Sequence, residues 1–521
     1  MIITITKRRG GLAAVLAGLA LAPAARADLQ FTPKVDVRET WTDNVLLSND
    51  AQARSQLVSE VIPGFDVNEH NSHLQLQGSY QLHAYHYASA DLNGVDSVNH
   101  ELALNGKARL IGEELFLDFR AGVSQQPVSA FGPVSPDAGY VATNRNEVRS
   151  YTFSPYLVQK LGSLAVGQLR YTHDLVSSDN AGFGNSNSDA LLLTLSNGPM
   201  LRAWGWDVTL NHQTLNDHVA PTSNTDAANL AAHYALTNTF SLLENVGYDK
   251  FDYETGPGQP TGGKSWSTGF KWQPSARTSL EATVGRRYYG PSYDLVAQQR
   301  TRHTVWNLSY HDDVTTSRAQ FLLPSALDTA NLLDSMLLSQ IPDPVQRAAA
   351  VAAYIRANGL PSSLPDSINY FSNRYILQKQ ALASVALTGA RTTGLLSLYR
   401  TRRQALSSVQ EDSQLLGSGI STDLNDNTNQ SGVSAILSAT LNPRTSMSLS
   451  ASYSKTESLT LTKDTQINHA LRWMVTHQFL SRLSGVLELR QSRNRSTLAS
   501  GAGTSGTYTE HAVAASLSMK F

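Results

Sequence analysis

Cysteine is absent from the 521-residue sequence. Its absence excludes a disulfide framework, a thiolate metal site, a cysteine nucleophile and the lipidated cysteine that anchors a lipoprotein. The chain must therefore be stabilised by other means.

Long apolar runs are also absent once the first 27 residues are set aside. No stretch of about eighteen apolar residues occurs there, which excludes a membrane-spanning helix. A membrane β-barrel is not excluded, because each of its strands needs only about ten residues and half of them can be polar.

Catalytic motifs are missing as well. The sequence contains no G-x-S-x-G, no phosphate-binding glycine loop and no H-E-x-x-H. His83 and His86 form the best histidine cluster, but on a strand they would face opposite sides and could not bind one metal ion. The sequence therefore predicts no enzyme, no cofactor and no metal site.

The N-terminal residues predict export. Basic residues 7 to 9 precede an apolar run from Leu12 to Ala22, and small residues follow up to Ala27. This pattern is typical of a secretory signal peptide over residues 1–27, cleaved near Ala27. Its removal lowers the 41 basic residues to 37, against 42 acidic residues. Such a mildly acidic chain argues against a nucleic-acid partner.

Apolar and polar residues alternate along most of the remaining chain. In HLQLQGSYQLHAY, residues 73–85, leucine, glycine, tyrosine and alanine occupy one face while amides, serine and histidine occupy the other. Residues 101–110, 115–124 and 446–454 repeat the scheme. A period of two predicts strands that are apolar on one face only.

Connection lengths alternate too. Tight links near residues 111, 160, 236, 273, 442 and 479 alternate with long polar ones at 128–147, 178–186, 217–225, 253–263, 405–429 and 494–507. Short turns on one rim and long loops on the other are typical of outer-membrane barrels. We therefore predict an all-β fold, a transmembrane antiparallel β-barrel of about 22 strands over residues 28–521, in the bacterial outer membrane. This count requires strand breaks at residues 290–292 and 300–302.

Two sets of side chains fit this barrel. Aromatic residues near strand ends fit girdles at the membrane interfaces, and they are Trp41, Tyr85, Tyr87, Trp204, Trp206, Tyr288, Tyr289, Trp306 and Trp473. Charged residues of mixed sign fall on faces predicted to line the lumen, and they include Glu101, Lys107, Arg109, Asp118, Arg120, Arg482, Glu488 and Arg490. The charges could be paired as scaffolding, or they could form a polar path for hydrated solutes.

The last residues, HAVAASLSMKF, alternate to the end of the chain. Val513, Leu517, Met519 and Phe521 share one face and end in an aromatic residue. This pattern resembles the signal by which the outer-membrane barrel-assembly machinery recognises its clients. We predict that the last strand closes the barrel, with both termini on the short-turn side.

One segment departs from the alternation. Residues 322–366 are apolar with helical spacing, and Asp343 and Pro344 form a helix start that runs towards Gly359. We predict a helical hairpin inside a long loop over residues 318–371. It could pack on the outer rim as a lid or an oligomer contact, or it could enter the barrel mouth and narrow the pore.

Five stretches resemble the exported proteins described as PEP-CTERM system-associated outer-membrane proteins, an uncharacterised porin-like family. They are VRETWTDNVLL (37–47), LFLDFRAGVSQQPVSAFGP (115–133), RNEVRSYTFSPYL (145–157), VWNLSYHDDVTTS (305–317) and NRYILQKQALASVALTGAR (373–391). The resemblance implies a barrel in Gram-negative bacteria that make exopolysaccharide and sort proteins by a C-terminal Pro-Glu-Pro tag. It implies no defined activity and no site residues.

Two functions follow as expectations. The first is a porin-like channel, or an accessory of exopolysaccharide or PEP-CTERM protein export. The second is a non-conducting barrel, either a structural anchor or a barrel-borne surface enzyme. The partners expected are outer-membrane lipid, the barrel-assembly machinery and, through the resemblance, exopolysaccharide or its export apparatus.

Overall fold

The computed structural model of the chain describes residues 29–89, 95–133, 141, 144–179, 185–198, 203–218, 221–253, 255, 260–322, 333–334, 347, 351, 372, 374–407, 426–460, 463–497 and 507–521. These residues form one sheet of 22 antiparallel strands. The first eleven are β1 (Gln30–Thr42), β2 (Gln56–His70), β3 (Leu74–Tyr87), β4 (Val98–Ile111), β5 (Leu115–Pro127), β6 (Arg145–Leu161), β7 (Ala165–Ser178), β8 (Ser186–Asn197), β9 (Trp204–Asp217), β10 (Ser223–Ala235) and β11 (Phe240–Phe251). The others are β12 (Gly262–Ser275), β13 (Thr278–Arg287), β14 (Gly290–Arg300), β15 (Thr304–Thr315), β16 (Ile376–Thr388), β17 (Thr392–Ala405), β18 (Thr428–Asn442), β19 (Thr445–Ser458), β20 (Thr465–Leu480), β21 (Leu483–Ser496) and β22 (Tyr508–Lys520).

The sheet closes into a barrel. Each strand pairs with its neighbours in the chain, and β1 pairs with β22 from Lys34↔Lys520 to Thr42↔Ala512. The backbone N–H of Phe521 also donates to the carbonyl oxygen of Pro33 at 3.0 Å. Closure leaves no free sheet edge, as a strand structure in a bilayer requires. The prediction of a closed barrel of about 22 strands is confirmed.

The alternation of the sequence separates the two faces of the wall. Leucine, valine and aromatic side chains project outward and stay exposed, among them Val37, Leu169, Leu210, Val246, Leu398 and Leu517. An exposed apolar surface that encircles the protein would drive aggregation in water, whereas acyl chains cover it in a membrane. The wall is therefore a membrane-facing surface.

Aromatic residues cluster on the outward face near the short-turn rim. Trp204 lies 4.5 Å from Tyr234, measured between ring centroids, and Phe240 stacks on Phe270 at 5.7 Å. Trp306 and Phe521 are exposed on the same face. Tyr85 and Tyr87 are different, because they point inward and pack against buried residues of the mouth. The prediction that these two tyrosines belong to a membrane girdle was wrong.

The turns follow the predicted alternation with one correction. The chain between β13 and β14 turns at Tyr288 and Tyr289, whereas the predicted break at residues 290–292 lies inside β14. Gly290 has a φ of 127°, a conformation that favours glycine, and Pro291 is only the second residue of its strand. The glycine and proline thus begin a strand instead of interrupting one.

The helical hairpin predicted over residues 322–366 is not supported, and most of that segment lies outside the described residues. A single short helix, α1 (Ser317–Leu322), occurs in the described chain, directly after β15. Within the segment, Leu333, Asp334, Arg347 and Val351 have helical backbone. None of the described helical residues belongs to a helix long and apolar enough to cross a bilayer. The predicted signal peptide over residues 1–27 also lies outside the described residues.

Strand lengths vary around the barrel. β6 and β20 have 17 and 16 residues, whereas β13 and β14 have 10 and 11. About ten tilted residues are enough to cross the bilayer. The longer strands therefore rise above the membrane on the long-loop side, and the wall is lowest at the tight β13–β14 turn.

Candidate functional site: the barrel interior and its mouth

Inward-pointing side chains are exposed to solvent on one part of the wall and buried on another. On β3 and β4 the inward-pointing Gln75, Gln77 and Lys107 are exposed to solvent. On β17 and β18, Leu395 and Ile436 also point inward, but they are only 2% and 4% exposed. The lumen is thus eccentric, with its open part along β3–β5.

A network of charges lines the wall where the barrel closes. The carboxylate of Glu488 accepts hydrogen bonds from Arg38 on β1 at 3.0 Å and from Arg472 on β20 at 2.8 Å. Arg490 lies 3.4 Å from Glu488 and donates to Glu510 on β22 at 2.9 Å. The strands β1, β20, β21 and β22 are therefore joined by side chains as well as by backbone hydrogen bonds.

The closure network, formed by Arg38, Arg472, Glu488, Arg490 and Glu510, sets three arginines around two carboxylates. Ser492 and Thr42 donate the remaining hydrogen bonds to Glu510 at 2.8 and 3.1 Å. Glu510 and Arg490 are buried. A buried carboxylate that is fully paired is structural, and removing one partner is costly. Here the scaffolding interpretation of the predicted lumen charges Glu488 and Arg490 fits the contacts.

A cationic cluster lies on the open side of the lumen. Phe116 of β5 stacks on Tyr156 of β6 at 5.2 Å, and the Arg170 guanidinium lies 3.9 Å from the Tyr156 centroid. Arg170 also forms an ion pair with Asp118 at 2.8 Å. The Lys107 ammonium lies 5.5 Å from the Phe116 centroid.

Three predicted lumen cations near this cluster have no acidic partner among the described residues. Lys107 and Arg109 on β4 and Arg120 on β5 are exposed and point inward, and among the described residues none of them forms an ion pair. Unpaired cations on a wetted wall attract anions. On this wall the charges fit a polar path better than a paired scaffold.

The other predicted lumen residues lie apart. Glu101 points inward on β4, with a carboxylate oxygen 3.8 Å from Nε2 of His83. Arg482 lies in the turn between β20 and β21, on the short-turn rim. Nδ1 of His83 lies 2.7 Å from Glu60, whereas His86 is exposed on the opposite face of the same strand. In the described part of the chain no three histidine or acidic residues could hold a metal ion.

The helix α1 crosses the mouth. Arg318 of α1 forms a buried ion pair with Asp174 on β7 and donates to Oγ of Ser186 on β8 at 2.7 Å. β7 lies eight strands from β15, where α1 begins, so this contact bridges the opening. On the near side, Arg403 of β17 donates to Oε1 of Gln320 at 3.0 Å. Side chains of the helix therefore contact both sides of the mouth.

Apolar contacts seat α1 further. Phe321 and Leu322 pack against the buried pair Val148 and Val176, on β6 and β7. Arg318 is 6% exposed, so its charge is removed from water on the far wall. An arginine in such a place is held by its acid partner. The sequence pattern predicted a long inserted loop from residue 318 onward, but it did not identify Arg318, since its partner is 144 residues away.

The loop between β5 and β6 also folds inward. Ala130 and Phe131 are each 1% exposed, and Nε2 of Gln466 on β20 donates to the carbonyl oxygen of Gly132 at 2.9 Å. β5 and β20 lie seven strands apart across the closing strands. Asn144 holds the base of the loop, because its Oδ1 accepts from the Ser129 N–H at 2.7 Å.

Two further groups of side chains narrow the mouth. Val45, Val58, Val141 and Tyr508 form a buried apolar cluster that Tyr85 and Tyr87 join. Above the low β13–β14 turn lies an aromatic group made of Phe251, Tyr253, Tyr288 and Tyr375.

The aromatic group is also linked by hydrogen bonds. The hydroxyls of Tyr253 and Tyr288 lie 3.2 Å apart, and burial raises the pKa of both. Tyr375 bonds to Ser223 of β10 at 2.7 Å, which links β10 to the chain just before β16. Burial likewise raises the pKa of Tyr289, whose hydroxyl donates to Asp312 at 2.8 Å. Tyr253, Tyr288 and Tyr289 therefore stay protonated.

A closed 22-strand wall with an apolar outer face, a polar inner face and inward-folded loops defines a β-barrel of the outer-membrane type. Solved structures share this fold. The FrpB iron transporter from Neisseria meningitidis, in its F5-1 variant, is similar with a TM-score of 0.50 at 10% identity, over 95% of this chain and 83% of that chain. Its F3-3 variant gives a TM-score of 0.50 at 10% identity, over 94% and 82%.

At this identity the likeness extends to the fold alone. No family model matches the sequence, and no curated protein matches it. The outer-membrane barrel is thus established at the level of architecture.

Proposed function

We propose that this protein is an outer-membrane channel for small hydrated solutes, with α1 as the constriction of its mouth. The observation that carries the proposal is the position of α1, which Arg318 and Gln320 fix to opposite parts of the wall. Below it, the wall of β3–β5 is polar and wetted. A wide barrel conducts ions unless its lumen is filled, so a helix held across the mouth would limit the size of the solutes that pass.

Single-channel recording in planar bilayers tests this proposal. Arg318→Ala removes the buried ion pair and leaves Asp174 without its cation, so α1 should detach from β7 and conductance should rise. Arg149→Ala is the matched control, because Arg149 pairs with Glu147 and Asp179 at the same rim but is 41% exposed. Equal conductance of the wild type and both variants would show that α1 is no constriction.

The segment after α1 requires its own variant. Replacing residues 323–371 with a short Gly/Ser link retains α1 and removes most of the long loop. If conductance rises only in this variant, the obstruction is that loop and not α1. The barrels of all variants should remain heat-modifiable, which shows that they are folded.

A non-conducting structural barrel is the second candidate. The covered inner wall of β17 and β18 and the buried apolar cluster of the mouth favour it. Absence of conductance in the wild type, in Arg318→Ala and in the loop replacement together would support this candidate and reject the channel. We propose transport or support, and not catalysis, for either form.

An association with exopolysaccharide or PEP-CTERM protein export is proposed on the sequence resemblance alone. Exposed amides such as Gln75 and Gln77 could bond to sugar hydroxyls along the open wall. Soluble exopolysaccharide fragments from the producing bacterium should then interrupt the channel current, whereas dextran of equal size should not. If both polymers have the same effect, the association loses its support.

A further inference from the structure

Four arginines project from the outer surface of the barrel. Arg400 and Arg402 on β17 and Arg493 and Arg495 on β21 are exposed. They share the outward face with Leu398 and Leu489, which are 51% and 44% exposed. β17 ends at Ala405 and β21 at Ser496, so the arginines lie between the apolar belt and the long-loop rim.

The strand register places these cations close together. Arg400 is opposite Ser431, Ser431 is opposite Lys455, and Lys455 connects through Ile467 to Arg495. Neighbouring strands are about 4.8 Å apart, so Lys455 lies roughly 10 Å from Arg400 and roughly 10 Å from Arg495 along this row. Arg402 and Arg493 each lie about 7 Å from a member of the row along their strands.

The patch formed by Arg400, Arg402, Lys455, Arg493 and Arg495 carries a net positive charge. The outward positions of β17–β21, all of them described, contain one acid, Glu457, which pairs with Lys455. Arg400 donates from Nε to Oδ1 of Asn429 at 3.2 Å, which leaves the outer nitrogens of its guanidinium to donate elsewhere. Within the described chain, Arg402, Arg493 and Arg495 form no ion pair.

On β7–β10 the upper outer face is balanced. There Nδ1 of His173 lies 2.8 Å from Asp189, and Nδ1 of His212 lies 2.6 Å from Asp226. Outward cations also occur on β11–β13, but a cluster of four arginines occurs on β17–β21 alone among the described strands.

The position of the patch selects its ligand. An arginine on the lipid face is costly at the bilayer midplane and costs little near the interface, so these four side chains lie at head-group level. Guanidinium groups bind phosphate by paired, charge-assisted hydrogen bonds. We propose that Arg400, Arg402, Arg493 and Arg495, with Lys455, form a binding site for the phosphorylated head group of an outer-leaflet lipid.

This proposal does not depend on whether the barrel conducts. The test uses the purified barrel in detergent and follows the temperature at which its heat-modifiable band is lost. The probes are lipopolysaccharide, the same lipopolysaccharide stripped of its phosphates, and inorganic phosphate. The variant changes all four arginines to glutamine. Its matched control changes Lys250, Lys264, Arg286 and Lys379, four outward cations of β11–β13 and β16, to glutamine.

Lipopolysaccharide should raise the transition temperature of the wild type and of the control variant. The four-arginine variant should need at least about tenfold more lipopolysaccharide for the same rise, because several charge-assisted bonds are lost. Dephosphorylated lipopolysaccharide should have little effect on any of the three proteins.

Three outcomes would overturn the proposal. The first is an equal response of the four-arginine variant and the wild type. The second is an equal response of the wild type to both forms of lipopolysaccharide. The third is a full shift with inorganic phosphate that the four-arginine variant loses, since the site would then bind free phosphate and not lipid.

Discussion

Arg38 and Glu488 connect the first strand of the barrel to the last but one, with 3.0 Å between Nη2 and Oε2. Backbone pairing alone would place β22 between them, so this side-chain bond spans an intervening strand on the inner face. Arg472 reaches the same carboxylate oxygen from β20 at 2.8 Å. The wall is thus braced where its two ends meet.

Glu488→Gln should destabilise the barrel, because Arg38, Arg472 and Arg490 would lose the charge that they share. Breaking a buried network of this kind costs about 3 kcal/mol or more. Urea unfolding of the barrel in lipid vesicles measures the loss. The control is Glu113→Gln. The side chains of Glu113 and Lys160, which form an ion pair, are 75% and 72% exposed, so this pair should contribute less than about 1 kcal/mol. Equal stability of the two variants would contradict a structural role for the network.

Phe521→Ala should reduce barrel assembly in cells. The side chain of Phe521 is 58% exposed on the outer face, so its loss removes few contacts within the folded barrel. Phe479→Ala is the matched control, with an outward aromatic that is 49% exposed near the same rim. The measured quantity is the fraction of heat-modifiable protein in the outer membrane. If the two variants assemble equally well, the C-terminal aromatic residue carries no assembly signal.

Replacing Lys107, Arg109 and Arg120 with glutamine should change ion selectivity without closing the channel. These cations attract anions to the open wall, so the wild type should be anion-selective and the triple variant less so. Reversal potentials in a salt gradient measure this. Neutralising the outward cations Lys250, Lys264 and Arg286 should leave the potential unchanged. A wild-type channel without anion preference would refute the assigned path.

Asn144→Ala should release the inward loop between β5 and β6. Asn144 has a φ of 62°, which asparagine tolerates better than alanine, and its amide binds Ser129 on both backbone sides. Loss of these bonds should expose residues 128–133 to protease added outside intact cells. Asn49→Ala is the control, since the side chain of Asn49 bonds only to the exposed Gln52 among the described residues. Unchanged cleavage in Asn144→Ala would show that other contacts hold the loop.

The wall could be predicted from sequence because its signals are local. Alternation defined the strands, and the parity of the connections favoured a count of about 22, which the pairing confirms. The turn before β14 was misplaced because Gly290 and Pro291 are common in turns as well as at strand starts. Local sequence could not reveal that the chain turns two residues earlier.

The interior was harder to predict, since its contacts join distant strands. The pair Arg318–Asp174 and the bond from Gln466 to Gly132 connect residues far apart in sequence, and no periodic pattern marks them. Alternation predicted that Glu488 and Lys107 face the same lumen, yet one is buried among arginines and the other is exposed to water. Loop packing determines which side of the lumen is filled, and no periodic sequence pattern marks that packing.

The barrel can close only after β22 has paired with β1. The sheet has no edges only when residues as distant as Lys34 and Lys520 have met, so closure requires contacts of the highest sequence separation in the wall. A product that stops before β22 would keep two open edges, the kind of surface that promotes aggregation and attracts quality control. The β1–β22 pairing therefore distinguishes a closed barrel from a shorter product by the presence or absence of open sheet edges.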